Sequence, residues 1–252
     1  MESRTLYKYL DAEGGAAMLF NSNLMFTNAT QLNDPFDCHP AYIHLAGEML
    51  TPYKGWPSET VSWLEYNKGL QRRDKTYICS LSKVYDSILM WSYYSKHSGI
   101  CVGLNMEKVG EYTKHMNGLF LGCPKLEVQY RDVVNEPSSI KDSNDFLCYH
   151  FASKAKEWQH EQEVRLVAYD PSPTHMRLLP NQNDSEGPIS WNEVRAFLEI
   201  GGECFESIYL GVNFDKEKKE KLLEIARKRN PNIIIYQMTI APEAFKLKAE
   251  QI

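Results

Sequence analysis

The residues with most chemistry in this sequence are Glu161, Glu163 and Arg165, which stand at alternate positions in the run Glu161-Gln162-Glu163-Val164-Arg165-Leu166-Val167-Ala168. The run has period two, so these three and Val167 fall on one strand face, with Val164 and Leu166 on the other. A carboxylate beside a fixed guanidinium stays ionised and can orient a ribose hydroxyl, hold a developing cation or accept a proton. The ordinary outcome of Glu-x-Glu is a local salt bridge. A second group lies between Thr76 and Leu104, where Ser80, Ser82, Trp91, Tyr94 and His97 bring hydroxyl, aromatic and imidazole groups within reach of one another. Its competing reading is a well-packed strand, helix and strand with a satisfied histidine at the turn. The third is Gln31-Leu32-Asn33-Asp34-Pro35-Phe36-Asp37, where Pro35 stiffens the backbone and Asn33 and Asp34 either face a ligand or cap nearby amides.

Elements that could position these groups are legible from periodicity. β-branched and aromatic residues predict strands over Thr76 to Ser82 and Ile100 to Leu104, with a helix between them capped by Asp86 or Ser87 and broken at His97-Ser98-Gly99. Strands are expected at Leu6 to Tyr9 and Leu24 to Thr27, around a helix from Asp11 to Asn21. A helix from Ser58 to Leu70 leads into Gln71-Arg72-Arg73-Asp74-Lys75, read as a solvated connector. Met106 to Met116 reads as a helix, Leu126 to Tyr130 as a strand and Val133 to Ser143 as a loop. From a cap at Ser143 or Asn144, the stripe Leu147, Phe151, Ala155 and Trp158 predicts a helix reaching the Glu161 strand, with Trp158 beneath Glu163 and Arg165. Pro171 to Pro188 reads as a surface excursion holding a strand at Met176 to Leu179. The tail gives strand (Ser207 to Leu210), helix (Phe214 to Arg229) and strand (Ile233 to Thr239). The expectation is an α+β fold, a central mixed sheet with helices packed on its faces, as a single domain over 1–252.

With 252 residues and 43% hydrophobic content, the chain can bury a full core without metal or disulfide support. A net charge of −5 argues against a broad nucleic-acid footprint while leaving room for a local basic groove. Six cysteines, with no Cys-x-x-Cys pair, read as buried free thiols of a cytoplasmic protein, and no window approaches a membrane span. The adjacent ligands Asp37-Cys38-His39 do not suit one ion, so no structural zinc is expected.

Tyr7-Lys8-Tyr9, Leu24 to Phe26 with Leu32 to Asp37, Trp91 to Gly99, and Lys154 with Trp158, Glu161, Glu163 and Arg165 together resemble the bacterial family of domain of unknown function 2971. A weaker resemblance is to ADP-ribosyltransferases, in which a first strand, a middle strand and a later Glu-x-Glu strand supply a polar residue, a hydroxyl and a carboxylate. That resemblance implies an ADP-ribosyltransferase-like fold, NAD as cofactor, and a toxin or phage-defence setting. It makes Glu163, with Glu161 and Arg165, the catalytic group. Tyr7, Lys8, Asn33, Asp34, Ser80, Trp91, Tyr94 and His97 then bind the cofactor, with Trp91 or Tyr94 stacking the nicotinamide. The sequence departs from the pattern in lacking a Ser-Thr-Ser run and a first-strand histidine or arginine. The expected partners are a small-molecule nucleotide and nucleic acid as a candidate acceptor; no membrane is expected, and the oligomeric state is open. Two alternatives stand beside this reading. One is a metal-dependent nuclease or phosphodiesterase holding magnesium with Asp34, Asp37, Glu161 and Glu163, and the other a non-catalytic ligand-binding module.

Overall fold

A computed structural model describes residues 4–42, 52–114, 125–133, 143–169, 189–191 and 195–252. The chain opens with β1 (Thr5–Leu10), α1 (Ala12–Asn21) and β2 (Asn23–Asn28). Asp11 caps α1 by accepting from the Gly14 amide, and Ser22 ends it in the left-handed region. Next come α2 (Ser58–Asp74), β3 (Thr76–Ser82), α3 (Ile88–Ser95), β4 (Ile100–Asn105) and α4 (Met106–Lys114). Of the two candidate caps for α3, Ser87 is the one used, and Lys96 and His97 both take positive φ where the helix stops. The rest comprises β5 (Lys125–Glu127), β6 (Gln129–Arg131), α5 (Ser143–Ala152), β7 (Ser153–Ala155), β8 (Glu163–Tyr169), β9 (Ile189–Trp191), β10 (Arg195–Glu199), β11 (Phe205–Leu210), α6 (Lys216–Arg229), β12 (Ile234–Ile240) and β13 (Leu247–Gln251). Among the described residues, no helix is long and apolar enough to cross a membrane.

The fold is α+β. Its sheet runs β13-β12-β11-β4-β1-β3-β2-β10-β9, with β8 added to β3 and β5 to β8. Among its described strands only β11 and β12 pair in parallel, joined by α6. β3 governs the layout. One of its edges is taken by β8 along its whole length, from Thr76↔Tyr169 to Ser82↔Glu163. The other edge is shared, because β2 pairs at Thr27↔Ile78 and Asn28↔Tyr77 whereas β1 pairs only at Tyr7↔Ser82. Between these contacts β1 and β2 diverge, and the Lys8 ammonium donates to the Ser80 carbonyl at 2.9 Å. A split in the sheet therefore opens beside Ser80.

One face of the sheet carries the main core, in which Leu6, Phe26, Leu81, Leu104 and Val164 meet Met18 and Leu19 of α1 and Leu222 and Ala226 of α6. The other face carries Tyr9, Trp91, Cys101 and Tyr209 at one end and Ile78, Cys38 and Phe151 at the other. The five described cysteines are free, and Cys148 alone among them is half-buried instead of buried.

Several local expectations are overturned by tertiary pairing. Residues 71–74 continue α2, and Arg73 is not solvated but donates from Nε to the Ala29 carbonyl at 3.2 Å. The segment from Leu126 to Tyr130 divides at Val128, since β5 joins β8 while β6 pairs with β7 in a separate parallel ribbon. The Leu147 to Trp158 stripe is not one helix: α5 ends at Ala152, β7 follows, and a 3-10 turn covers Lys156–Glu161. Pairing with β6 and burial of Lys154 outweigh helical propensity there. β9, β10 and β13 were not expected from the sequence, and the strand expected at Met176 to Leu179 lies outside the described residues.

Gly15 shows how closely α1 sits on the sheet, because a Cβ there would lie 2.3 Å from Ile100 Cδ1 and 2.4 Å from Cγ1. Alanine would raise helix propensity by roughly 1 kcal/mol, but overpacking a fully buried contact costs roughly 1–3 kcal/mol. Gly15→Ala is therefore expected to lower the urea midpoint, and a raised midpoint would show that α1 can move off Ile100.

Candidate functional site

Arg165 stands on β8 opposite Ser80 and is completely buried. Its guanidinium donates twice to Asp37 (Nη1 to Oδ1 2.8 Å, Nη2 to Oδ2 2.5 Å) and twice to Glu163 (Nε to Oε1 2.8 Å, Nη2 to Oε2 3.1 Å). A further bond from Nη1 reaches the Phe151 carbonyl at 2.8 Å. These bonds match the donor inventory of the guanidinium. Asp37 arrives from the loop after β2, and Phe151 from α5, so the arginine ties distant segments to β8.

A second cation bridges the same acids. Lys154 Nζ lies 2.5 Å from Glu161 Oε2, 3.1 Å from Glu163 Oε2 and 3.9 Å from Asp37 Oδ2, and 5.0 Å from the centre of the Trp158 ring. Glu161 is not part of β8. It closes the 3-10 turn, and Gln162 with φ 44° swings the chain so that both acidic side chains face inward, each only 3% exposed. Ser82 secures the turn by donating to the Glu161 carbonyl at 2.7 Å, and the Glu163 amide donates to the Tyr130 hydroxyl at 2.7 Å. The Tyr94 hydroxyl donates to Glu161 Oε1 at 2.6 Å.

The two carboxyls are driven apart in acidity. Burial would raise Glu163, but Arg165 and Lys154 override it and hold that carboxyl well below the usual range. For Glu161 burial prevails over Lys154, and the adjoining Glu163 charge adds to it, so its pKa is raised. Burial would likewise lower Lys154, yet Glu163 and Glu161 leave it raised. A pair of carboxyls separated in this way offers an ionised anchor and a group suited to proton transfer.

The split beside Ser80 forms a cleft of about 250 Å³, and Glu161, Glu163 and Lys154 line it. Of the residues expected to bind a ligand, Tyr7, Lys8, Asn33, Ser80 and Tyr94 also line it. Four expected residues do not. Arg165 stands behind the wall with no exposed surface, so it positions carboxylates and has no path to a ligand. Trp91 is equally buried, edge-on to Tyr9 at 5.4 Å with its indole N–H on the Tyr85 carbonyl; the largest apolar ring on α3 goes to the core. Asp34 is 4% exposed and its Oδ1 accepts from the Phe36 amide, as in a turn cap. His97 holds a left-handed corner, its Nε2 2.9 Å from Ser92 Oγ and its carbonyl accepting from the Asn213 amide. Trp158 does not pack beneath Glu163 and Arg165 but covers Lys154, half-buried, against Tyr93 and His160. Thr27, Gln31 and Met90 were not foreseen in the lining. Lys154 had one local signal, a charge within the otherwise uncharged Phe151-Ala152-Ser153-Lys154-Ala155.

The metal-dependent alternative meets an obstacle in this charge arrangement. Asp37, Glu161 and Glu163 converge, but the Lys154 ammonium and the Arg165 guanidinium occupy the space between them. Asp34 does not join the cleft.

Residues 90–166 match the family described as Protein of unknown function (DUF2971), so the family resemblance holds over that stretch. It contains Tyr94, Lys154, Glu161, Glu163 and Arg165, whereas Tyr7, Asn33 and Asp37 precede it. No curated protein and no solved structure matches the chain.

Removing one partner from a buried ion pair typically costs about 3–5 kcal/mol. Arg165→Met, which strips Asp37 of its two-point partner and leaves Glu163 ion-paired to Lys154, is expected to lose that much in urea unfolding; a loss below about 1 kcal/mol would contradict a supporting role. Acidity supplies a second check. Glu163 titrates lower in the folded chain than in the unfolded one, so the unfolded chain binds the extra proton as the pH falls. Its stabilisation is present above the unfolded carboxyl value of about 4.3 and is lost as the pH drops towards the folded value. Between about pH 5 and pH 3, stability should therefore fall more steeply for the wild type than for Glu163→Gln, and parallel slopes would contradict the depressed pKa.

Proposed function

We propose that the cleft takes the nicotinamide-riboside end of a nicotinamide dinucleotide and that the chain transfers ADP-ribose from it, with Glu161 as the carboxylate that meets the substrate. One observation carries the reading: Tyr7, Ser82 and Glu163 stand in register across the adjacent strands β1, β3 and β8, all lining one cleft. Polar first-strand residue, middle-strand hydroxyl and later-strand carboxylate are thus side by side in the order the transferase resemblance implies.

Roles are redistributed relative to the sequence expectation. Both oxygens of Glu163 are held by cations, which neutralises the charge a ribosyl cation would need. Glu161 faces one ammonium and one neutral phenol, and its raised pKa brings it nearer to the range of a general base at neutral pH. In the reaction the bond between the ribose carbon and the nicotinamide nitrogen breaks, its electron pair leaving with nicotinamide. The acceptor nucleophile forms the new bond to that carbon and gives its proton to Glu161. Tyr7 and Tyr94 supply aromatic edges in place of the buried Trp91, and Lys8 and Asn33 supply polar contacts.

Incubating the protein with nicotinamide dinucleotide and with protein or nucleic-acid acceptors should release nicotinamide. Glu161→Gln should reduce release by about 100-fold or more while keeping the fold, because it removes the base without changing shape. Binding without release by the wild type would make the chain a non-catalytic ligand module, and neither binding nor release would dismiss the nicotinamide reading.

A further inference from the structure

β13 is the outermost strand at its end of the sheet among the described residues. Its pairing with β12 fixes which backbone groups point outward. The Lys246 carbonyl accepts from the Ala241 amide and the Ile252 amide donates to the Ile235 carbonyl, both at 3.0 Å. Together with the register Thr239↔Lys248 and Gln237↔Glu250, this directs the even-numbered residues towards β12. The amides and carbonyls of Leu247, Ala249 and Gln251 therefore face away from the sheet.

We propose that β13 pairs antiparallel with β13 of a second copy of this chain, centred on Ala249, so that the sheet continues across a two-fold axis. In that register Ala249 faces its own counterpart and Leu247 faces Gln251, so outward-bonding residues meet outward-bonding residues. Shifting the strands by one residue would set outward groups against inward ones and break the ladder. Charge then chooses among the registers that remain. Centring on Lys248 or Glu250 puts like charges opposite each other, whereas centring on Ala249 sets Lys248 against Glu250 on both sides of the axis. These are the non-hydrogen-bonded positions, where side chains approach most closely. Both side chains are exposed, at 63% and 53%, and lie 3.8 Å apart within one strand, so this register gives each a second partner across the axis.

Apolar surface lies in the same place. Phe245 is fully exposed at 101% and Ile252 is 50% exposed. The proposed register puts Ile252 of one copy opposite Lys246 of the other, so its apolar side chain meets the aliphatic stem of that lysine. A lysine on a bare edge ordinarily discourages pairing. Here a strand of the same sequence meets that lysine with Glu250 on both sides of the axis and sets no like charges opposite each other, which favours self-pairing over unrelated edges.

Light scattering and sedimentation of the full chain over a rising concentration series test the proposal. The wild type should pass from monomer to dimer. Lys248→Glu, which sets glutamates opposite each other, should move the transition to about tenfold higher concentration, and Lys248→Glu with Glu250→Lys should restore it. Ala249→Pro removes an outward amide that β12 does not use, so it should abolish the dimer while circular dichroism and melting stay close to the wild type. A wild type monomeric throughout, or a dimer that neither Lys248→Glu nor Ala249→Pro weakens, would overturn the proposal.

Discussion

The Arg165 guanidinium, buried with no exposed surface, is the constraint on which the site depends. Such a group is tolerated in a low-dielectric interior only when its donors are met and its charge is balanced. Asp37 and Glu163 meet both requirements, and the Phe151 carbonyl completes the set. The loop after β2, the end of α5 and the start of β8 are thereby drawn to one point. Asp37, Glu161 and Glu163 together would outweigh Arg165, and Lys154 offsets the excess; Arg165 and Lys154 leave Glu163 strongly ionised, whereas burial prevails over Lys154 at Glu161 and raises its pKa.

A sheet that splits is what exposes this arrangement to a ligand. If β1 ran beside β3 throughout, Ser80 and the carboxylates behind it would be covered by main chain. Because β1 touches β3 at Tyr7↔Ser82 alone and β2 takes the opposite end, the intervening stretch of β3 borders the cleft. The Lys8 contact with the Ser80 carbonyl satisfies an acceptor that a continuous ladder would have used. A backbone irregularity and a polar cleft are thus two aspects of one feature.

What could be read from sequence follows the range of the interactions involved. The Thr76 to Leu104 unit was legible because strand propensity, the Ser87 cap and the break at Gly99 are all local. The inward face of Glu163 and Arg165 was legible from period two. The second acidic partner of Arg165 was not, since Asp37 lies 128 residues earlier and no local pattern marks it. Long-range packing also decides why Arg165, expected in the catalytic group, and Trp91, expected to stack the nicotinamide, stand behind the site: their residue types suit it, but whether they line it or support it depends on what packs on them. The Leu147 to Trp158 stripe holds as a helix only to Ala152 for a related reason, as the demand that Lys154 reach the buried acids overrides a helical period beyond it. Short strands such as Arg195–Glu199, which pairs with β2, had too little local pattern to announce themselves.

Burial, a lysine shared by both glutamates and an arginine on Glu163 alone give neighbouring carboxyls opposite acidities beside one cleft. Carbon-13 NMR of side-chain carboxyls in selectively labelled protein measures this directly as the pH is lowered. The account predicts that Glu161 titrates above the ordinary glutamate value of about 4.3, while Glu163 stays ionised below it. Titration of both near that ordinary value would contradict the account, because it would mean that Arg165 and Lys154 do not distinguish the two acids.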